Sequence, residues 1–444
     1  MNTLDQSVIN PAIISRAEHA ISRANISESA LKVLYRLKGA GFESYLVGGG
    51  VRDLLLGREP KDFDVATDAS PEQVQALFRN CRLIGRRFRL AHVRFGADIV
   101  EVATFRATHQ DDADEDDSRR DLTLNESGRI LRDNAYGTLE QDAFRRDFSI
   151  NALYYDIRDF SIVDYVGGMA DLRAGQLRLI GDPDKRYRED PVRMLRAARF
   201  AAKLGFRLHP ETERPIAQLA SLLGDIPPAR LFEEILKLFL YGFGLQAFEN
   251  LRHHGLFAQL FPHTEAALSI EEQGFPHVFI AKALASTDAR VAEARPVTPT
   301  FLFAALMWEP VRQRAAALQA SGMHPSDAYR NAAYEVADEQ ATHVALPRRF
   351  VTPMIEIYQM QPRFMQREGK RPLRLLSHPR FRAAYDFLVL RAEAGDADQA
   401  LADWWTQLQV ANPEQQNGLL ISNTASGPGN APRRRRRSRR SGGG

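Results

Sequence analysis

The chain has 444 residues, 44% hydrophobic and 26% charged, with a net charge of +3 and one cysteine, Cys81. That length calls for two or three domains, a lone cysteine excludes any intrachain disulfide or multi-cysteine metal site, and no apolar run reaches the roughly 18 residues that span a bilayer. Seven of the cations (Arg433, Arg434, Arg435, Arg436, Arg437, Arg439 and Arg440) crowd the C-terminus, and taking them from +3 leaves the rest at −4, so the basic character is regional and points to a polyanionic partner.

In chain order, residues 1–25 read as a loosely ordered leader. Residues 1–16 lack the basic-then-apolar order of a secretion signal, which points to the cytoplasm. Apolar residues at helical spacing (Ala30, Leu31, Val33, Leu34, Leu37) predict a helix over 27–37 with Ser27 as its N-cap. Residues 45–66 form the stretch around which the chain is organised. Tyr45, Leu46 and Val47 end a short buried strand, and Gly48, Gly49 and Gly50 let the backbone turn tightly and approach a ligand. Residues 51–56, Arg52 among them, have helical types closed by Gly57. A strand, a glycine turn and a helix N-terminus together offer free N–H groups to phosphate. Beyond them Asp62 and Asp64 stand two apart, so on a strand they share one face while Phe63 and Val65 turn to a core. Two such carboxylates can grip a pair of metal ions about 3.5–4 Å apart, as in enzymes that make phosphodiester bonds. The same pattern also occurs on ordinary polar strand edges; the glycine turn upstream favours metal.

Ser70 and Pro71 open a helix over 71–78. Within residues 82–94, Arg86, Arg87 and Arg89 surround Phe88, as a solvated hairpin tip or as a basic loop for triphosphate or RNA. Residues 99–105 read as a strand with Glu101 on its apolar face. An unpaired buried carboxylate is costly, so Glu101 sits at a sheet edge or is a third acid beside Asp62 and Asp64, and the second reading is favoured. Residues 111–121 are too charged to pack and predict a surface loop. Arg145, Arg146 and Asp147 lead into strand-like Leu153, Tyr154 and Tyr155. They suit a sugar hydroxyl and phosphate oxygens, or else make a surface ion pair worth about 0–1 kcal/mol. From Glu189 the pattern is helical, with Asp190 as N-cap and Pro191 at the first position. Arg193, Arg196, Arg199 and Lys203 then recur as a basic stripe without interleaved acids, suited to a polyanion. Residues 226–261 predict two more helices, helical spacing runs on to 409, and from 412 the composition is that of a disordered basic tail.

The glycine turn, Asp62 and Asp64, Arg145-Arg146-Asp147, and the run Glu189-Asp190-Pro191-Val192-Arg193 resemble the bacterial tRNA nucleotidyltransferase/poly(A) polymerase family over about residues 44–262. The run from Leu83 to Val93 and the arginine-rich C-terminus are similar to its polymerase branch; CCA-adding members generally lack both. The resemblance implies an α+β chain with a flexible leader (1–25) and a nucleotidyltransferase head built on a small mixed β-sheet with helices (26–175). An all-helical neck or RNA-binding region (176–265) and body (266–410) follow, and then a disordered arginine-rich tail (411–444). It further implies that Gly48 and Gly49 bind triphosphate, and that Asp62 and Asp64 hold two Mg2+ ions, with Mn2+ as an alternative. Arg145, Arg146 and Asp147 belong to the active centre at the ribose, Asp147 being counted with the catalytic acids, and Asp190 and Arg193 match residues that read the incoming base. Arg52 and Arg196 join the nucleotide-binding set, and Glu101 the metal set. Arg199, Lys203, Arg433, Arg434, Arg435, Arg436 and Arg437 are the RNA-binding candidates.

The implied activity is template-independent addition of AMP from ATP to RNA 3′ ends, making a poly(A) tail that marks RNA for decay, with the RNA-decay machinery as a partner. Two rivals stay open: CCA addition to tRNA, and an RNA-binding protein with an inert head, against which the intact Asp62 and Asp64 argue. Neither Gly-x-Gly-x-x-Gly nor Gly-Lys-Ser/Thr follows the strand, which disfavours a Rossmann or P-loop enzyme.

Overall fold

The computed structural model describes residues 10–85, 89–107, 122–124, 130–133, 136–270 and 278–420. They fall into two units. One lies within Met1–Ile270, Leu284–Thr298 and Glu339–Leu346, the other within Glu271–Ala283, Pro299–Asp338 and Pro347–Gly444.

Short apolar runs broken by glycine and proline give the first unit its strands: β1 (Ala12–Ile14), β2 (Ser44–Val47), β3 (Asp64–Thr67), β4 (Cys81–Ile84), β5 (Leu90–Phe95) and β6 (Asp98–Thr104). A separate hairpin of β7 (Leu122–Leu124) and β8 (Ile130–Asp133) precedes β9 (Leu153–Asp156) and β10 (Ile162–Asp164). The main sheet has eight strands in the order β1-β10-β9-β2-β3-β6-β5-β4. Every neighbouring pair is antiparallel except β3 with β6, so the sheet is mixed as expected.

Helix α1 (Glu28–Gly39) starts where Ser27 predicts, the Ser27 hydroxyl accepting from the Ala30 amide. It buries Ala30, Val33, Leu34 and Leu37 against β2, β3 and β6. Between the next strands lie α2 (Gly49–Leu55) and α3 (Pro71–Leu77). Side chains alternate across a strand, so Tyr45 and Val47 point away from α1. They pack with Ala66, Phe105, Tyr154 and Val163 against Leu139 and Ala143 of α4 (Leu139–Arg145). At the end of β10 the Asp164 carboxylate accepts from the amides of Val166, Gly168 and Met169, starting α5 (Gly168–Ala174). Only glycine fits at 168, because a Cβ there would lie 2.2 Å from the Ser149 carbonyl oxygen.

The chain continues through α6 (Pro183–Glu189) and α7 (Val192–Leu204), with β11 (Gln176–Leu177) and β12 (Arg207–Leu208) as a parallel pair. Helices α8 (Pro210–Glu213), α9 (Ile216–Leu219), α10 (Pro228–Phe239), α11 (Gly244–His253), α12 (Leu256–Leu260) and α13 (Pro262–Leu268) follow. The second unit is helical around aromatic residues: Trp308 stacks on Tyr329 at 5.6 Å, and the Trp405 indole donates to the Phe364 carbonyl. Among the described residues no helix is long and apolar enough to cross a membrane.

Several expectations need correction. Residues 10–25 are not loose, because β1 pairs with β10 at the sheet edge while Ile14 and Ile21 are buried. Residues 226–261 hold three helices rather than two, because Gly255, at φ +70°, turns the chain between α11 and α12. Residues 413–419 form a helix inside the expected tail, since Asn412 and Gln415 make a capping box with Pro413 at the first position. Residues 26–175 and 176–265 both lie in the first unit, which does not bear on their expected division into head and neck. The tail arginines, Arg86, Arg87, Phe88 and the acidic run 111–121 lie outside the described residues.

Candidate active site

Register builds the centre of the site. Val47 is paired with Asp64, Asp64 with Glu101, and Glu101 with His92 across β2, β3, β6 and β5. Cross-strand partners point to one face, so Asp64 and Glu101 are neighbours, as the third-acid reading expects. Asp62 precedes β3 rather than lying on it, which corrects the expectation that both acids share the strand. The physical reason is that the β2 partner leaves the ladder at Gly48, so pairing begins only at Asp64. Gly48 has φ +76°, a conformation that costs other residues strain. A Cβ there would lie 3.4 Å from Asp64 Oδ2 and 3.8 Å from Arg146 Nη1, and one at Gly50 would lie 3.3 Å from the Asp62 carbonyl oxygen. Glycine turn, acidic strand and Arg-Arg-Asp segment therefore meet.

Burial pushes the Asp64 carboxyl up to about 6, helped by Glu101 and Asp62 and opposed by Arg146. His92 Nε2 lies 3.3 Å from Glu101 Oε2. A carboxyl that burial, with two neighbouring acids, holds protonated belongs to a donor set that a divalent cation relieves, and an all-oxygen set suits Mg2+ or Mn2+. The residues present fit the metal that the resemblance implies.

The Arg-Arg-Asp segment is not a surface ion pair. Arg146 Nε donates to Asp142 Oδ2 at 3.0 Å and to the Tyr154 hydroxyl at 2.9 Å, and Tyr154 donates to Asp142 in turn. Burial works against the Arg146 charge, but Tyr154 and Asp142 overcome it and hold the guanidinium more firmly protonated than usual. Burial also opposes the charge on Asp147, yet Arg196, Asn151 and the Phe148 amide bring its pKa well below the ordinary range. Asn151 bridges onward, its Oδ1 accepting from Arg52 at 2.7 Å.

The basic residues are more closely paired than their spacing predicts. Arg52 is only 2% exposed and is bound to Asp53 and Asn151. It braces the glycine-turn helix against the Arg-Arg-Asp segment, and its Nη2 lies 3.4 Å from the place of a Cβ on Gly49, beside the expected triphosphate turn. The stripe is not free either. Arg193 pairs with Glu189, Arg196 with Asp147, Arg199 faces Glu234 at 4.0 Å, and Lys203 faces Asp53 at 3.6 Å. The acids missing from the stripe come from other elements, and Arg199, with its side chain 13% exposed, lies against the Phe200 ring. The stripe is therefore interleaved with acids in space, and Glu189, Glu234 and Asp53 are shared with Arg186, Lys237 and Arg52.

The base-reading candidates meet at the α6–α7 junction. Asp190 is the C-cap of α6, and the N-cap of α7 is Pro191, one residue later than expected; the Asp190 Oδ1 accepts from the Val192 amide and its carbonyl from that of Arg193. Its other oxygen binds Arg230 of α10 at 2.7 Å. Arg193 bonds Glu189 Oε2 and the Arg186 carbonyl, and Arg186 donates to Glu189 and to the carbonyls of Arg145 and half-buried Arg146. Burial and Arg193 pull Arg186 below an ordinary guanidinium, but it stays charged at neutral pH. Asp142, Asn151 and Glu189 were readable as partners, each four residues from Arg146, Asp147 or Arg193. No local spacing pointed to Tyr154, Arg186 or Arg230. A cavity of about 790 Å³ opens beside Asp62, lined by Arg58, Lys61 and Asp98; Gly48, Asp64 and Arg146 are not on its wall.

Three family models match the chain: the poly A polymerase head domain over residues 44–178, the probable RNA and SrmB-binding site of polymerase A over 205–268, and the polymerase A arginine-rich C-terminus over 321–441. The chain is 52% identical over 437 residues to a protein of Salmonella typhi named poly(A) polymerase I, covering 97% of this chain and 93% of that protein. It is 40% identical over 233 residues to a CCA-adding enzyme of Geobacillus stearothermophilus, covering 52% of this chain and 54% of the other. A crystal structure of the Bacillus stearothermophilus CCA-adding enzyme in complex with CTP superimposes with a TM-score of 0.57 at 28% identity, over 86% of this chain and 81% of that one.

Proposed function

Because the chain belongs to the bacterial poly(A) polymerase I family, we propose that it is a template-independent polynucleotide adenylyltransferase that adds AMP from ATP to RNA 3′ ends. The observation that carries the reading is the approach of Gly48 to both Asp64 and Arg146, with 3.4 Å and 3.8 Å left for a Cβ. That approach brings the glycine turn, a carboxylate and a cation to one place.

In the reaction the RNA 3′-oxygen attacks the α-phosphorus of ATP, the bond to the bridging oxygen breaks, and pyrophosphate departs in line. Amides in the first turn of α2 have no helical acceptor and take triphosphate oxygens. Asp62 and Asp64, with Glu101 alongside, would hold Mg2+ or Mn2+, and a pair of such ions would supply Lewis-acid polarisation of the phosphate and charge stabilisation. Arg146, oriented by Asp142 and Tyr154, turns Nη1 toward Gly48 and neutralises phosphate charge. Asp147, committed to Arg196 and Asn151, positions the Arg-Arg-Asp segment at the ribose. Asp190 accepts from and Arg193 donates to the incoming base, Arg230 and Glu189 fixing their orientation. RNA is held by the tail arginines, and tails so made mark RNA for decay in the cytoplasm.

The limited reach of the CCA-adding relative, about half the chain, supports the polymerase branch over CCA addition. The test supplies a labelled RNA primer with each nucleoside triphosphate separately, and a tRNA lacking its 3′ end with CTP plus ATP. Long tracts from ATP alone are expected. Accurate CCA completion that stops after three additions, with no tract on generic RNA, would overturn the reading.

A further inference from the structure

Away from the acidic row, a second group of ligating side chains converges in the same unit. Glu213 ends α8, His253 ends α11, and His254 follows it before Gly255 turns the chain into α12. His254 Nε2 lies 3.9 Å and His253 Nε2 4.0 Å from the same Glu213 oxygen, and all three donor atoms fall within 4.8 Å of one another. A tetrahedral ion with bonds of about 2.0–2.1 Å holds its ligands roughly 3.3–3.4 Å apart, so a modest contraction of the three side chains would close the set. We propose that Glu213, His253 and His254 form a site for a divalent transition cation such as Zn2+ or Co2+.

The backbones that carry the donors are fixed in advance. Thr212, next to Glu213, accepts from the Leu179 amide through its hydroxyl and from the Tyr187 hydroxyl through its carbonyl. Helix α11 is tied to α7 where the Asn250 side chain donates to the Ala198 carbonyl. The site therefore forms without rearrangement of the chain, which is what a tight ligand set needs. All three donors line a cleft of about 900 Å³ whose wall also carries Glu249 and Asp288 against a single cation, Arg207. Glu249 stands one turn before His253 on α11, so the surroundings attract a cation. The cleft leaves the remaining coordination positions to water.

Two imidazole nitrogens and one carboxylate oxygen suit borderline transition ions, whereas Mg2+ prefers oxygen alone. The chemistry thus separates this site from Asp62, Asp64 and Glu101. A bound ion would join the end of α8 to the end of α11, residues 40 apart in the chain, within the segment that the RNA and SrmB-binding model matches.

The test uses full-length, tag-free protein with Mg2+ at a saturating level, so that the acidic row is already occupied. Zn2+ is titrated by calorimetry, and Co2+ by its visible absorption, which reports nitrogen ligation. One equivalent is expected, with a rise in melting temperature. His253→Ala, at a side chain 75% exposed and so without damage to the fold, and Glu213→Gln should each weaken binding by at least about tenfold. Asp64→Asn should leave it unchanged, and His253→Ala should polymerise normally in Mg2+. The proposal is overturned if the wild type takes up no Zn2+ at submillimolar concentration, if both variants bind as the wild type does, or if Asp64→Asn abolishes the binding instead.

Discussion

Two acids of the candidate active site respond to pH in opposite directions. The Asp64 carboxyl, pushed up to about 6 by burial, Glu101 and Asp62, holds its proton more firmly folded than unfolded. Its contribution to stability is present below the unfolded value near 4 and is lost as pH rises through about 6. Asp64→Asn should therefore melt above the wild type in chelator at pH 8, by at most ~3 kcal/mol, with the difference vanishing toward pH 4. The same variant should lose polymerisation by about two orders of magnitude or more. A wild type more stable than the variant at pH 8 without metal would refute a carboxyl held protonated by burial and its acidic neighbours. Asp147 behaves inversely, because its pairing with Arg196 outweighs its burial and keeps its pKa low. That stability is present above about 4 and is lost on acidification. Asp147→Asn should cost about 3–5 kcal/mol at pH 7, since it strands Arg196, and denaturant melts should show the gap shrinking as pH falls below 4.

At the scale of elements, the glycine turn and the α6–α7 junction set the geometry. Gly48→Ala meets φ +76° and a carboxylate 3.4 Å away. It should cost about 1–2 kcal/mol and slow catalysis more than it weakens RNA binding, as a filter-binding assay beside single-turnover kinetics would reveal. Arg230 reaches from α10 to Asp190 and has no part in the acidic row. Arg230→Ala should release Asp190 and lower the ATP-to-CTP ratio of kcat/KM by about tenfold, since an unsatisfied polar group costs about 1–3 kcal/mol. An unchanged ratio would remove Asp190 from base selection.

Across the whole molecule, the charge distribution separates catalysis from anchoring. Each cation of the α7 stripe faces an acid, but Glu189, Glu234 and Asp53 are shared with Arg186, Lys237 and Arg52, and we propose that the arginines after Ser426 supply the further attraction for RNA. Truncation after Ser426 should weaken RNA binding and flatten its salt dependence, by roughly 0.7 in slope for each phosphate of a single strand that the tail no longer neutralises, with the KM for ATP little changed. Salt titrations of both forms decide it; identical slopes would assign the tail to another partner.

What the sequence determined by itself was local. The cap at Ser27, the turn at Gly48, the Asp62 and Asp64 spacing and the bond from the Val192 amide to Asp190 all depend on residues within four or five positions, where backbone geometry alone sets who meets whom. Even there Asp62 fell outside β3, because a strand's start depends on its partner. Which charges are free is a different matter, since compensation depends on distance in space. Arg52 is claimed by Asn151, 99 residues on, and Arg196 by Asp147, 49 residues back. Asp64 owes its raised pKa to burial and to a strand partner whose register no local pattern contains. Glu213 and the two histidines meet across 40 residues of chain, on α8 and α11, whose neighbours Thr212 and Asn250 are tied to other elements. Periodicity specifies the face that a residue takes; only the tertiary structure decided what waited on that face.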